Sequence, residues 1–340
     1  MERRLNYCIG VLIVLVMCLT LISVKPNISA AAPIILKLSH SEKPGGGVKD
    51  LAAEYLAKLI NERSKGALKV EVYPTGQLYG DKEGITATAN GTIFCEGTSS
   101  DPLSAWTAGH AIFGLWGLFQ DQVHVKRFFD SPCGGGKIEE ELGVKGLLHL
   151  PVGPLFVNYL FSNRAVKTAA DVQNLRLRVM ESPLVVKGAK AITGVDPIVI
   201  AVHELYTAAA QGMVQGTITG PKAIESRGIH EFFKYCISSP PIYCVSTTLV
   251  VSKIQVEKLP PDLQKIVRDA IKETYDYTWS LPPDFFDKES INKMGKAGVT
   301  FTPMPPEEFA KLMVKYQPVL EEGSKRIPAD YIECAKSLRK

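Results

Sequence analysis

The chain has 340 residues, of which 46% are apolar and 22% charged, with 39 basic residues against 35 acidic ones. These proportions exclude a disordered, collagenous or small disulfide-scaffold chain, and the length corresponds to about two domains. The net charge of +4 is dispersed along the chain. A reader of nucleic-acid phosphates would gather Lys and Arg into a stripe instead.

The N-terminus stands apart. Arg3 and Arg4 precede an almost uncharged apolar run from Cys8 to Val24, and the small residues Ser29, Ala30 and Ala31 follow. A positive n-region, an apolar h-region and a small-residue cleavage site make a secretory signal over residues 1–30, with an uncleaved anchor as the alternative. Met17 before Cys18 lacks the small residue that precedes a lipidated cysteine. Cleavage leaves 36 basic and 34 acidic residues, a nearly neutral exported protein.

From Pro33 onward, short strands alternate with helices. Leu36 to His40 reads as a strand, followed by the turn Pro44 to Gly47. Leu51, Ala52, Tyr55, Leu56, Leu59 and Ile60 recur at spacings of three and four, which predicts a helix over 48–63 with one buried face. Leu68, Val70 and Val72 alternate with Lys69 and Glu71 as a half-buried strand. A short helix from Asp81 to Asn90, a strand from Thr92 to Glu96, a helix from Val123 to Phe129 and a strand from Gly146 to Leu150 continue the beat.

The second half repeats it. Thr168 and Asp171 form a turn, and strands are expected at 175–180, 198–202, 214–219 and 247–252. Helices are expected at 184–192, 203–211, 262–279 and 307–322, with Pro282-Pro283 interrupting the third. Alternation over this distance implies α/β architecture with largely parallel sheets.

Signatures of catalysis are missing. There is no GxSxG elbow and no HExxH helix. Gly134-Gly135-Gly136-Lys137 lacks the Ser or Thr of a phosphate loop, and three glutamates at 139–141 would repel phosphate. The six histidines show no metal-ligand spacing, so neither a metal nor a cofactor is expected. The 44–47 turn leads into a helix N-terminus, where backbone N–H groups can seat an anion. Cys95, Cys133, Cys236, Cys244 and Cys334 lie beyond residue 30; Cys236 and Cys244 can pair across adjacent segments, although plain buried thiols are the simpler reading.

Several motifs occur in one order: Leu36-Lys37-Leu38-Ser39-His40, the turn Tyr73 to Leu78, Asp121 to His124, Asp171…Leu175…Arg178, Glu204 to Ala208, and Gly212 to Gly216. Over about residues 34–300 this order resembles the extracytoplasmic solute-binding subunits of TRAP transporters, the DctP-type family. The resemblance implies two Rossmann-like lobes joined by crossing strands and a long helix, with a ligand cleft between them. It assigns 31–153 plus 245–281 to one lobe and 154–244 plus 282–340 to the other. It implies a periplasmic binding protein, not an enzyme, that delivers an organic acid to a TRAP membrane permease, and we take it as a monomer. An exported α/β enzyme and a sensing module for a signalling receptor are the rival functions.

By the resemblance, Arg178 binds the ligand carboxylate. A planar guanidinium matches a carboxylate with two parallel hydrogen bonds, and Glu181 is the alternative partner within the protein. Ser41 and Ser99 are expected to face the ligand from the first lobe. Asn158 and Thr219 face it from the second, with Val202 as an apolar wall. Many family members carry a second arginine where this chain reads Leu155-Phe156-Val157-Asn158, and an acid where it has Gln215. Those departures suit a monocarboxylate with an apolar or modestly polar body better than a dicarboxylate or sialic acid.

Overall fold

The computed structural model describes residues 32–119 and 121–339. The expected secretory signal lies outside these residues. Ten strands are found among them: β1 (Ile34–His40), β2 (Leu68–Tyr73), β3 (Cys95–Ser99), β4 (Leu147–Ser162), β5 (Leu177–Val179), β6 (Ile198–Val199), β7 (Gly216–Thr219), β8 (Tyr235–Ser239), β9 (Tyr243–Ser252) and β10 (Thr300–Pro303). They hydrogen-bond in the order β2-β1-β3-β9-β4-β7-β5-β6, with β8 on β4 and β10 on β8.

The fold is the expected two-lobed α/β architecture, but its sheet is mixed rather than largely parallel. β1 runs parallel to β2 and β3, and β5 parallel to β6 and β7. The strands between these groups, β9 and β4, run antiparallel to their neighbours. β4 explains the difference. Its 16 residues pair with β9 up to Asn158 and then with β7 and β8, so one strand serves both halves of the sheet. Its pairing with β9 shifts register between Val152 and Phe156, across Gly153 and Pro154, but the strand does not end at Leu150 as expected and runs on to Ser162.

Helix Val48–Arg63 packs on the first half of the sheet through Ala52, Ala53, Leu56 and Ile60, all fully buried. Helix Pro261–Trp279 joins the same core through Leu263, Val267 and Ala270. Each buried Leu, Ile or Val side chain contributes about 1.5–3 kcal/mol. A second core around Leu205, Ile224, Phe233 and Met294 sits under β8 and β10. Helix Pro306–Arg326 inserts Leu312, Tyr316 and Val319 into a third cluster, which also holds Trp116, Leu184 and Tyr331.

The cysteine pairing differs from the one the sequence offered. Cys133 and Cys334 form a disulfide across 201 residues, with Cα atoms 5.9 Å apart, while Cys95, Cys236 and Cys244 are free. Cys236 lies opposite Phe161 and Cys244 opposite Val157 on β4. Four positions along a strand is about 13 Å, roughly twice the span a disulfide bridges. Cys133 is placed by glycines: a Cβ on Gly134 or Gly135 would stand 2.3 or 1.9 Å from the carbonyl oxygens of Phe128 and Phe129. The Gly134–Gly136 run is therefore a close-packed turn beneath the C-terminal helix Ala329–Ser337.

Closing so long a loop chiefly restricts the unfolded chain. Cys334→Ser is expected to lower unfolding free energy by about 2–4 kcal/mol. Urea titration with and without reductant checks this; coincident midpoints for wild type under both conditions would remove the disulfide from the stability account.

Candidate ligand-binding site

The C-terminal ends of β1, β3, β5 and β7 converge where the two halves of the sheet meet, the place where α/β crevices collect ligand groups. A cavity of about 70 Å3 lies there. Ser99, Asn158, Val202 and Thr219 line it together with Glu42, Lys49, Asp101, Met180, Thr247 and Arg227. Ser41 does not reach its wall. The Ser41 hydroxyl accepts a hydrogen bond from Lys49 Nζ at 3.1 Å, and its carbonyl accepts one from Arg227 Nη2 at 3.0 Å.

Arg178 is completely buried and does not itself line the cavity; it reaches it through Met180, a lining residue. Its Nε donates to the carbonyl of Ile200 at 2.7 Å and its Nη2 to the thioether of Met180 at 2.6 Å, while Nη1 has no protein partner. Burial pulls the guanidinium down to about 10. The alternative partner Glu181 is engaged elsewhere, 2.8 Å from Lys82 in an exposed pair. Arg176 is spent on the Gly212 carbonyl at the surface.

The first lobe contributes charges that the motif reading did not include. Lys49 and Asp81 form a buried ion pair at 2.6 Å. Burial pushes the Asp81 carboxyl up, but Lys49 outweighs it and holds the group below the usual carboxylate range. The helix N-terminus after the 44–47 turn does seat an anion, and that anion is the protein's own Glu42. Its Oε2 accepts from the backbone N–H groups of Lys49 and Asp50 at 3.0 and 3.3 Å. Gly47 is required by this approach, since a Cβ there would lie 2.7 Å from Glu42 Oε2.

Asp101 follows β3 and accepts from Tyr243 Oη at 3.1 Å. Burial raises its carboxyl to about 6. The sequence did carry one signal for this group. Lys49 falls on the same helical stripe as Ala52, Ala53, Leu56 and Ile60, a position where a cation is buried or paired. Glu42, Asp101 and Arg227 carry no such mark, because loops and strands distant in sequence bring them in.

Two α/β halves closed over a small cavity of charged, hydroxyl and apolar side chains, with a buried arginine beside it, define the architecture of a solute-binding protein. Residues 38–326 match the bacterial extracellular solute-binding protein family 7, and the chain belongs to that family. It is 27% identical over 311 residues to the C4-dicarboxylate-binding periplasmic protein DctP of Rhodobacter capsulatus, covering 90% of this chain and 91% of that one. It is 26% identical over 313 residues to the C4-dicarboxylate-binding protein DctB of Bacillus subtilis, covering 90% and 87%. In fold it matches a TRAP periplasmic solute-binding protein of Shewanella oneidensis with bound succinate, with a TM-score of 0.82, 22% identity, and coverage of 91% and 100%. A sugar-acid-binding protein of Advenella mimigardefordensis in complex with galactonate matches with a TM-score of 0.82 at 20% identity, covering 90% and 99%.

Proposed function

We propose that this protein captures a small organic acid, a monocarboxylate with a polar body, in the cleft between its lobes and delivers it to a TRAP-type membrane permease outside the cytoplasm. The observation that carries the reading is Arg178. A fully buried guanidinium with one nitrogen unpartnered is costly unless an anion completes it. The other two cations of the cleft are already offset, Lys49 by Asp81 and Arg227 by the nearby Glu42. One open guanidinium suits one carboxylate. Ser99, Asn158, Thr219 and Thr247 suit hydroxyl groups on the rest of the ligand.

The relatives and structural neighbours above bind dicarboxylates and sugar acids by name, which supports an organic acid as the ligand class. The Cys133–Cys334 bridge suits an oxidising, exported location. Among the described residues no helix is long and apolar enough to cross a membrane.

A ligand that binds only the folded state raises its melting temperature. Thermal unfolding with succinate, D-erythronate, D-galactonate and D-galacturonate is expected to show a larger shift with at least one of the three monocarboxylates than with succinate. A shift confined to succinate would replace the monocarboxylate by a dicarboxylate. No shift with any acid would overturn the reading.

A further inference from the structure

Six charged groups gather in or beside the cleft. Glu42, Lys49, Asp101 and Arg227 line the cavity, Asp81 is paired with Lys49, and Arg178 is buried outside the lining, so ionised the three cations and three acids balance. Their holds are unequal. Glu42 has two backbone N–H donors, and Asp81 has the Lys49 ammonium. Asp101 has one neutral donor, the Tyr243 hydroxyl, with Arg178 acting on it from beyond hydrogen-bonding reach.

The surroundings of Asp101 add no nearer cation. β9 presents Tyr243, β5 presents Arg178, helix Val48–Arg63 presents Lys49, and helix Asp81–Ala89 presents Asp81. On β3 the Glu96 carboxyl is buried beside the Ser39 hydroxyl and pushed far up by desolvation. On helix Ala108–Ala111 the buried His110 imidazole is turned to the Thr107 hydroxyl and brought down to about 3, leaving it uncharged.

An organic anion on Arg178 adds a fourth negative charge to a closed, desolvated cavity. It also takes for itself the guanidinium that offsets Asp101. Two carboxylates sharing one site cannot both stay ionised cheaply, and one of them is driven to hold a proton. The ligand acid, directly on the guanidinium, is the better anion; Asp101, on a phenol, is the weaker acid and keeps the proton.

We propose that Asp101 is a ligand-binding residue that works as a neutral carboxylic acid, so that capture of each organic anion takes up one proton from solvent, which Asp101 holds and turns toward the ligand. This inference rests on the acid-binding reading above. The step breaks no bond in the ligand; the proton comes from solvent before the cleft shuts. Its consequence is selectivity. A charged acid entering with a proton leaves the cavity neutral, and a ligand oxygen that accepts the Asp101 proton is favoured over a group that can only donate.

The test is calorimetry on the mature wild-type protein at pH 7 in phosphate and in Tris, whose protonation heats differ. The probe is whichever of succinate, D-erythronate, D-galactonate and D-galacturonate gives the largest thermal shift. The buffer dependence is expected to show between roughly 0.5 and 1 proton taken up per ligand, and Kd to rise by up to about tenfold per pH unit between pH 6.5 and 8. In Asp101→Asn the uptake and the pH dependence should both vanish. Binding by wild type with no uptake, or uptake undiminished in Asp101→Asn, overturns the inference and leaves the acid-binding reading standing. No shift with any acid between pH 5.5 and 8.5 overturns both.

Discussion

Replacing Arg178 with alanine is expected to abolish capture of the organic acid almost completely. Removing one partner of a desolvated, hydrogen-bonded charge pair costs about 2–5 kcal/mol, which is roughly 30-fold to several-thousand-fold in Kd. The geometry puts this residue toward the upper end of that range. Arg178 is fully buried, Nη1 has no hydrogen-bond partner, and Met180 supplies only a weak thioether acceptor that a carboxylate oxygen can displace. Arg178→Lys should also bind poorly, because a point charge does not reproduce the two-pronged contact.

The same burial makes a less obvious prediction about stability. An incompletely partnered guanidinium in the interior destabilises the free protein, and apolar replacements of similar volume at such sites are often neutral or stabilising. Arg178→Met should therefore melt no lower than wild type without ligand, while losing the shift that ligand produces. The comparison is made by thermal unfolding of both proteins with and without the acid. A variant that binds within about threefold of wild type, below roughly 0.7 kcal/mol, would make Arg178 structural and move the carboxylate site elsewhere.

How much of this was legible depends on what kind of physics places each residue. Helices 48–63 and 261–279 were read to within a residue, because a period of 3.6 on one apolar face is a local signal. β3 was expected at Thr92 and begins at Cys95, because residues 90–94 form the turn that brings it beside β1. β8 and β10 were not anticipated; both are short, and each is held by its sheet partners rather than by its own pattern. Helix Ala329–Ser337 was missed for the same reason, being fixed by the disulfide and by Tyr331 Oη donating to Glu141.

The cleft divides along similar lines. Ser99, Asn158, Thr219 and Val202 line one cavity; Ser99 and Thr219 end β3 and β7, whose strand ends point to a common crevice, while Asn158 comes from within β4 and Val202 from the turn after β6. Asp101 and Arg227 depend on a short helix after β3 and on the end of helix Pro221–Ser226 arriving at the same cavity. No spacing along the chain encodes that meeting.

Replacing Lys49 should cost the fold heavily. It and Asp81 are both buried and stand 2.6 Å apart, and the ammonium also reaches the Ser41 hydroxyl. Lys49→Met keeps most of the side-chain volume but leaves Asp81 as an uncompensated buried carboxylate. Breaking a buried pair in this way destabilises by about 3–5 kcal/mol at neutral pH. The pH dependence separates this cause from lost packing. In wild type Asp81 titrates below the usual carboxylate range, so the stability it confers is present above an ordinary carboxylate pKa and is lost only as pH falls through its depressed value. In the variant, desolvation acts without the offsetting ammonium, so the same carboxyl titrates above its unfolded value and is relieved by protonation as pH falls. The gap between wild type and Lys49→Met, measured by urea unfolding, should therefore be widest at pH 7 and narrow toward pH 4.5. A gap that stays constant across that window would assign the loss to packing around the lysine stem, and the Lys49–Asp81 pair would then contribute no net stability.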